Sequence, residues 1–175
     1  MQLLEPLKEK ELKKSIKTIK TISDVVSKKV RDQYEENPYP RWRYANQSSK
    51  SNFLLHINND IKPNNIRIQN KFSNPNILIA GCGTGKQLVK ACCYDNSNVV
   101  GVDLSSTSLA YAKRKINEIG LKNIEFFQGD ILHLNNLNRK FDVIECSGVL
   151  HHMKEPIKGL KILLDLLEPH GFLHL

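Results

Sequence analysis

Three glycines at alternate positions, Gly81, Gly83 and Gly85, close the apolar run ILIAGCGTGKQ (77–87), and a second apolar run, NVVGVDL, reaches Asp103. Glycine backbone lets a ligand approach closely, and a carboxylate can accept from paired hydroxyls. The chemistry this implies is binding of a nucleotide-like molecule with a ribose. Nucleoside triphosphate, dinucleotide and S-adenosylmethionine are the three candidates. The triphosphate fails on spacing: a P-loop ending at Gly85-Lys86 needs its first glycine where Ala80 stands and a hydroxyl where Gln87 stands. The dinucleotide fingerprint GxGxxG needs a glycine at position 86, which is Lys86. Asp103 does not choose between the remaining two, since both place an acid at the end of the second strand.

Elements that could position these residues follow in regular order. From Ile77 the sequence alternates strand, turn and helix: NILIA, GCGTG, KQLVKACCY, NVVGVDL, then SSTSLAYAKRKINEIG with Ser105 or Ser106 as cap and Gly120 as stop. IEFFQGD and FDVIECS are the third and fourth strands and GFLHL opens a fifth. In PIKGLKILLDLL, Ile157, Leu160, Leu164 and Leu167 predict the buried face. Such alternation implies an α/β fold, a Rossmann-like doubly wound parallel sheet with its ligand at the carboxyl ends of the strands. Upstream, Leu12, Ile16, Ile19, Ser23, Val26 and Val30 step as an amphipathic helix, although Ser23 and Asp24 could cap a second helix there. Pro38 and Pro40 end it. The expected organisation is a helical N-terminal extension (1–45), a polar connector (46–76) with weak strands at FLLHI and IRI, and the ligand-binding domain (77–175). GFLHL stops inside a strand, so the domain is expected to be C-terminally incomplete.

ILIAGCGTG, VVGVDLS, IEFFQGDIL, FDVIECSGVLHHM and LLEPHGFLHL, in that order and spacing, resemble the successive motifs of class I S-adenosylmethionine-dependent methyltransferases. The resemblance implies S-adenosylmethionine as cofactor, with the backbone around Gly81, Cys82, Gly83 and Gly85 against its methionyl part. Asp103 would take the ribose hydroxyls and Leu104 lie beside the adenine. Asp130 would meet the adenine amino group, aided by the Ile131 backbone, and Cys146, Ser147 and Gly148 would line the floor near the sulfonium. VRDQYEENPYPRW resembles a segment preceding the domain in bacterial methyltransferases often linked to tetratricopeptide repeats. Two positions depart from the family pattern: Ile79 stands where many relatives carry an acid, and His170 where a glycine is usual.

Methyl transfer needs alignment first and a general base only where the acceptor loses its proton early. His151 and His152 are the candidates for that base, against a structural role in a cofactor lid. Tyr34, Tyr39, Trp42 and Tyr44 could cover the cofactor, form the acceptor wall, or simply pack. No ligand set for a metal is legible. The acceptor is expected to be a small molecule or a protein side chain. Nucleic acid is not expected: the order Asn37-Pro38-Tyr39-Pro40 is not the base-pinning tetrad, and residues 1–31 hold +5 of the +8 net charge, as a solvated helix face would. No membrane association is expected. Cys82, Cys92, Cys93 and Cys146 form no CxxC pair and suit a reducing cytoplasm. A nicotinamide oxidoreductase and a non-catalytic partner-binding module are the rival readings.

Overall fold

The computed structural model describes residues 4–45, 50–64 and 72–175. Its elements run α1 (Leu4–Lys14), β1 (Lys17–Thr18), α2 (Val25–Glu36), α3 (Phe53–Asp60), β2 (Asn76–Ala80), α4 (Lys86–Ala91), β3 (Asn98–Asp103), α5 (Ser106–Glu118), β4 (Ile124–Gln128), β5 (Phe141–Glu145), α6 (Pro156–Asp165) and β6 (Leu167–His174). Stretches of 3-10 helix at Ile131–Leu137 and Leu150–His152 flank β5. The strands form one sheet in the order β1-β4-β3-β2-β5-β6, and every pairing is parallel. The order reverses between β2 and β5, so a crevice opens at their carboxyl ends.

Alternation along β2 shows why both faces are covered. Ile77 and Ile79 enter one core with Leu88, Leu109, Tyr111 and Ile116, from α4 and α5. Leu78 and Ala80 enter the other with Ile144, Leu134 and Leu163, the last from α6. All four β2 side chains are essentially inaccessible, as a central parallel strand requires.

Several expectations change. The N-terminal stripe is not one helix: α1 ends at Lys14, β1 pairs Lys17 with Phe127, and Asp24 caps α2 by accepting from the Ser27 amide at 2.9 Å. The side-chain cap on a new helix prevails over continuous periodicity. FLLHI is helical, because Asn52 accepts from the Leu54 and Leu55 amides and starts α3. Phe53 is buried against Phe72, Tyr94 and Phe172, so this stretch packs on the core. IRI lies outside the described residues. In α6 the buried face is Gly159, Ile162, Leu163 and, just past its end, Leu166, whereas Ile157 and Leu164 are exposed. Gly159 decides the choice: a Cβ there would stand 2.6 Å from Met153 Sδ, so the bare backbone faces that turn. Among the described residues no helix is long and apolar enough to cross a membrane.

α1 and α2 both pack on α5. Arg114 of α5 is buried and donates to Glu9 at 2.9 Å and Glu118 at 2.6 Å, with Glu5 at 3.5 Å. Losing one partner of such a buried set is costly, so α1 is fastened rather than merely adjacent. From α2, Glu35 accepts from the Ser106 amide and hydroxyl at 2.6 and 2.7 Å, from Thr107, and from Lys13 at 2.7 Å. An anion at the first turn of α5 also suits its dipole.

A candidate ligand cleft at the carboxyl edge of the sheet

The turn after β2 is locked to its neighbour strand: the Gly81 and Cys82 amides both donate to the Val102 carbonyl, at 2.8 and 2.9 Å. Gly81, Gly83 and Gly85 all take left-handed φ, at 80°, 50° and 89°, a conformation side chains resist. Their surroundings differ. A Cβ on Gly85 would stand 2.7 Å from the Ala112 Cβ, so this glycine lets α5 approach the start of α4. A Cβ on Gly83 would meet nothing nearer than the Tyr39 carbonyl oxygen at 3.9 Å. The Gly83 face is therefore open to a cavity, whereas Gly85 does not line it.

That cavity, of about 770 Å³, is bounded by the strand ends. It lies in the upper part of the roughly 300–1,000 Å³ range of small-molecule sites. Gly81, Cys82, Gly83, Asp103, Leu104, Asp130, Ile131, Ser147, Gly148 and His152 all line it, so the structure brings most of the predicted residues together. Cys146 is not among them: its side chain is buried in the core beside Ile144 and its amide donates to the His174 carbonyl at 2.8 Å. β5 ends at Glu145; Cys146 keeps the inward side of Ile144, two residues before it, and the turn that follows brings Ser147 and Gly148 to the cavity. His151 also stays outside the lining, its ring 4.0 Å from that of His152 between centroids.

Asp103 is held from behind. One carboxylate oxygen accepts from the Gly83 amide and the other from the Ser105 amide, each at 2.8 Å. Burial raises its carboxyl above the ordinary aspartate value; the Ser105 and Gly83 amides oppose that shift, and the charge of Glu35 adds to it. Asp130 is buried, and its Oδ1 accepts from the Leu132 amide at 3.0 Å. Its Oδ2 is equally enclosed and accepts no hydrogen bond. A buried acceptor without a donor is costly unless a ligand supplies one. Burial pushes the Cys82 thiol well above its usual range. Among the described residues no three His, Cys, Asp or Glu side chains gather as metal ligands.

The N-terminal segment closes the open side. Ser27, Val30 and Tyr34 of α2, then Tyr39, Pro40, Tyr44 and Ala45, form one wall of the cavity. Trp42 is the anchor rather than the wall. It is buried, donates from Nε1 to the Thr84 carbonyl at 2.9 Å, and its own carbonyl accepts from the Tyr111 hydroxyl. Thr84 returns a hydrogen bond to the Pro40 carbonyl at 2.6 Å. Lys86, Gln87 and Lys90 of α4 also reach the cavity. Sequence reasoning missed them, although their spacing on one helix face carries the signal.

Residues 77–171 match the family model described as a methyltransferase domain. An uncharacterized protein of Synechococcus sp. is 37% identical over 103 residues, covering 58% of this chain and 25% of that protein. The ubiquinone biosynthesis O-methyltransferase of Coxiella burnetii is 31% identical over 117 residues, 67% of this chain and 49% of its own length. Among solved structures, PKMT2 from Rickettsia typhi in complex with AdoHcy superposes with a TM-score of 0.52 at 32% identity, over 58% of this chain and 20% of that one. The chain thus spans less than half the length of each.

Proposed function

The chain belongs to the methyltransferase domain family, and on that premise we propose that it binds S-adenosylmethionine in the cleft and methylates a small molecule or a protein side chain. The observation that carries this reading is the pair of carboxylates in one cavity. Asp103 is oriented by two amides toward a ligand, and Asp130 holds a buried oxygen that still needs a donor. Ribose hydroxyls suit the first and the adenine amino group suits the second, with Leu104 and Ile131 beside the base. The backbone at Gly81, Cys82 and Gly83 takes the methionyl part, and Ser147 and Gly148 the floor. Gly85 contributes by shaping the turn.

When bound, this cofactor supplies a methyl group activated on a sulfonium. The protein's part is to orient and to exclude water. Tyr34, Tyr39 and Tyr44 of the N-terminal wall serve the second task. His152, which lines the cavity, is the candidate to receive the acceptor's proton, and His151 supports its ring. The segment YEENPYPRW is read as the one that precedes the domain in the tetratricopeptide-linked group, serving here as the cover. The four free cysteines support placing the protein in the cytoplasm.

Calorimetric titration with S-adenosylhomocysteine tests the reading. Wild type should bind, and a folded Asp103→Ala variant should bind at least tenfold more weakly, about 1.4 kcal/mol. Equal affinities in the two proteins would remove the ribose assignment, and no binding by folded wild type would remove the cofactor.

A further inference from the structure

Beyond Asp103 and Asp130 the cleft changes character. Lys86 and Lys90 stand on one face of α4 and both border the cavity with exposed side chains. Neither pairs with an acid among the described residues. The same lining carries Tyr39, Pro40 and Tyr44, with both tyrosine side chains largely exposed. Among the described residues the only carboxylates on the lining are Asp103 and Asp130, and the proposed function commits both. An ammonium group entering here would face two cations with no free acid, within the roughly 8 Å over which charges act at physiological salt.

Resting on that proposed function, we propose that the methyl acceptor is an anion, a carboxylate or phosphate on a compact apolar or aromatic body, held by Lys86 and Lys90 rather than a protein lysine. The cofactor's own amino-acid carboxylate has the same chemistry, but the proposed function sets the methionyl part against the backbone at Gly81, Cys82 and Gly83. Lys90 lies four residues, about 6 Å, farther along α4 than Lys86. Both charges are left for the acceptor. The tyrosines supply the flat surface against which its body rests.

The test uses protein saturated with S-adenosylhomocysteine and two probes of one shape, benzoate and benzylamine, followed by ligand-observed NMR titration. Benzoate should bind at least tenfold more tightly than benzylamine. A Lys86→Ala/Lys90→Ala double variant should lose that preference while its affinity for S-adenosylhomocysteine moves less than threefold. Equal or tighter binding of benzylamine overturns the proposal and favours a cationic acceptor, and so does a preference that survives in the double variant. If the double variant instead loses S-adenosylhomocysteine more than tenfold but keeps 5′-methylthioadenosine, which lacks the carboxylate, the lysines serve the cofactor and the acceptor assignment is wrong. Wild type that binds no S-adenosylhomocysteine refutes the underlying function, an outcome read before either probe is added.

Discussion

Gly83 and Gly85 lie two residues apart, share a left-handed backbone, and should fail in opposite ways when each becomes alanine. Any side chain at such a φ costs about 1–2 kcal/mol. At Gly83 that is the whole cost to the fold, since a new methyl has no neighbour closer than 3.9 Å. At Gly85 the methyl would sit 2.7 Å from the Ala112 Cβ and 3.3 Å from its Cα. That overpacking adds about 1–3 kcal/mol, because α5 is fixed by its own core and by Arg114. For a domain of this size each kcal/mol lowers Tm by about 2–4 °C. Gly85→Ala should therefore melt roughly 5–15 °C below wild type, and Gly83→Ala only a few degrees below. Ligand binding should reverse the ranking. The Gly83 methyl projects into the cavity where the cofactor's methionyl part is placed, so Gly83→Ala should bind S-adenosylhomocysteine at least tenfold more weakly while staying folded. Differential scanning fluorimetry and calorimetry on the two variants supply both numbers. A Gly83→Ala protein that binds within twofold of wild type would show that no ligand rests on that turn.

Two further outcomes follow from the geometry. Asp130→Asn keeps the Oδ1 cap on the Leu132 amide but sets an NH2 where Oδ2 now lacks a donor; titration with S-adenosylhomocysteine should show affinity falling by about 1–3 kcal/mol with Tm unchanged or raised. Glu35→Gln should lower stability at pH 7 by about 1 kcal/mol, discounted for its partly exposed side. Burial raises the Glu35 carboxyl, but the hydrogen bonds from Lys13, Thr107 and Ser106 outweigh it and hold the pKa down at about 2, against an ordinary 4.5. Stability from a depressed acid is present above the ordinary value and is lost as pH falls toward the folded one. The Tm gap between wild type and Glu35→Gln should thus be full at pH 7, narrow below about 4.5 and close near 2; a pH-independent gap would refute the assignment.

The sheet from Ile77 onward was legible because its signals are local: four-residue apolar runs, Ser105 as a cap, Gly120 as a stop. The cleft was legible for the same reason, since glycine and aspartate at strand ends act where they stand. What escaped depends on partners distant in the chain. β1 is two residues long, and nothing in Lys17-Thr18 announces a strand until β4 is beside it. Asn52 looked like linker, yet its side chain starts a helix that Phe53 makes worth forming. The α6 sequence carries two overlapping apolar stripes, and only Gly159 against Met153 chooses between them. Of the three residues expected on the floor, Ser147 and Gly148 line the cavity and Cys146 does not, because the phase of a strand near its end is set by its neighbours. His170, expected to replace a glycine in a turn, adopts the left-handed backbone such a glycine would have taken, at φ 69°.

The docking of α1 and β1 also sets a timetable for synthesis. Glu9 finds Arg114 across 105 positions, and Lys17 pairs with Phe127. At a translation rate of about 5–20 residues per second, α1 waits roughly 5–20 s for its receptor to be made. A lone eleven-residue helix is marginal in water, so for that interval the lysine-rich segment has little reason to hold shape. α1, whose Lys13 donates to Glu35 of α2, is thus encoded early and docked late. The α2 wall of the cleft waits likewise, since its Glu35 meets Ser106 across 71 positions, the kind of long closure that slows folding.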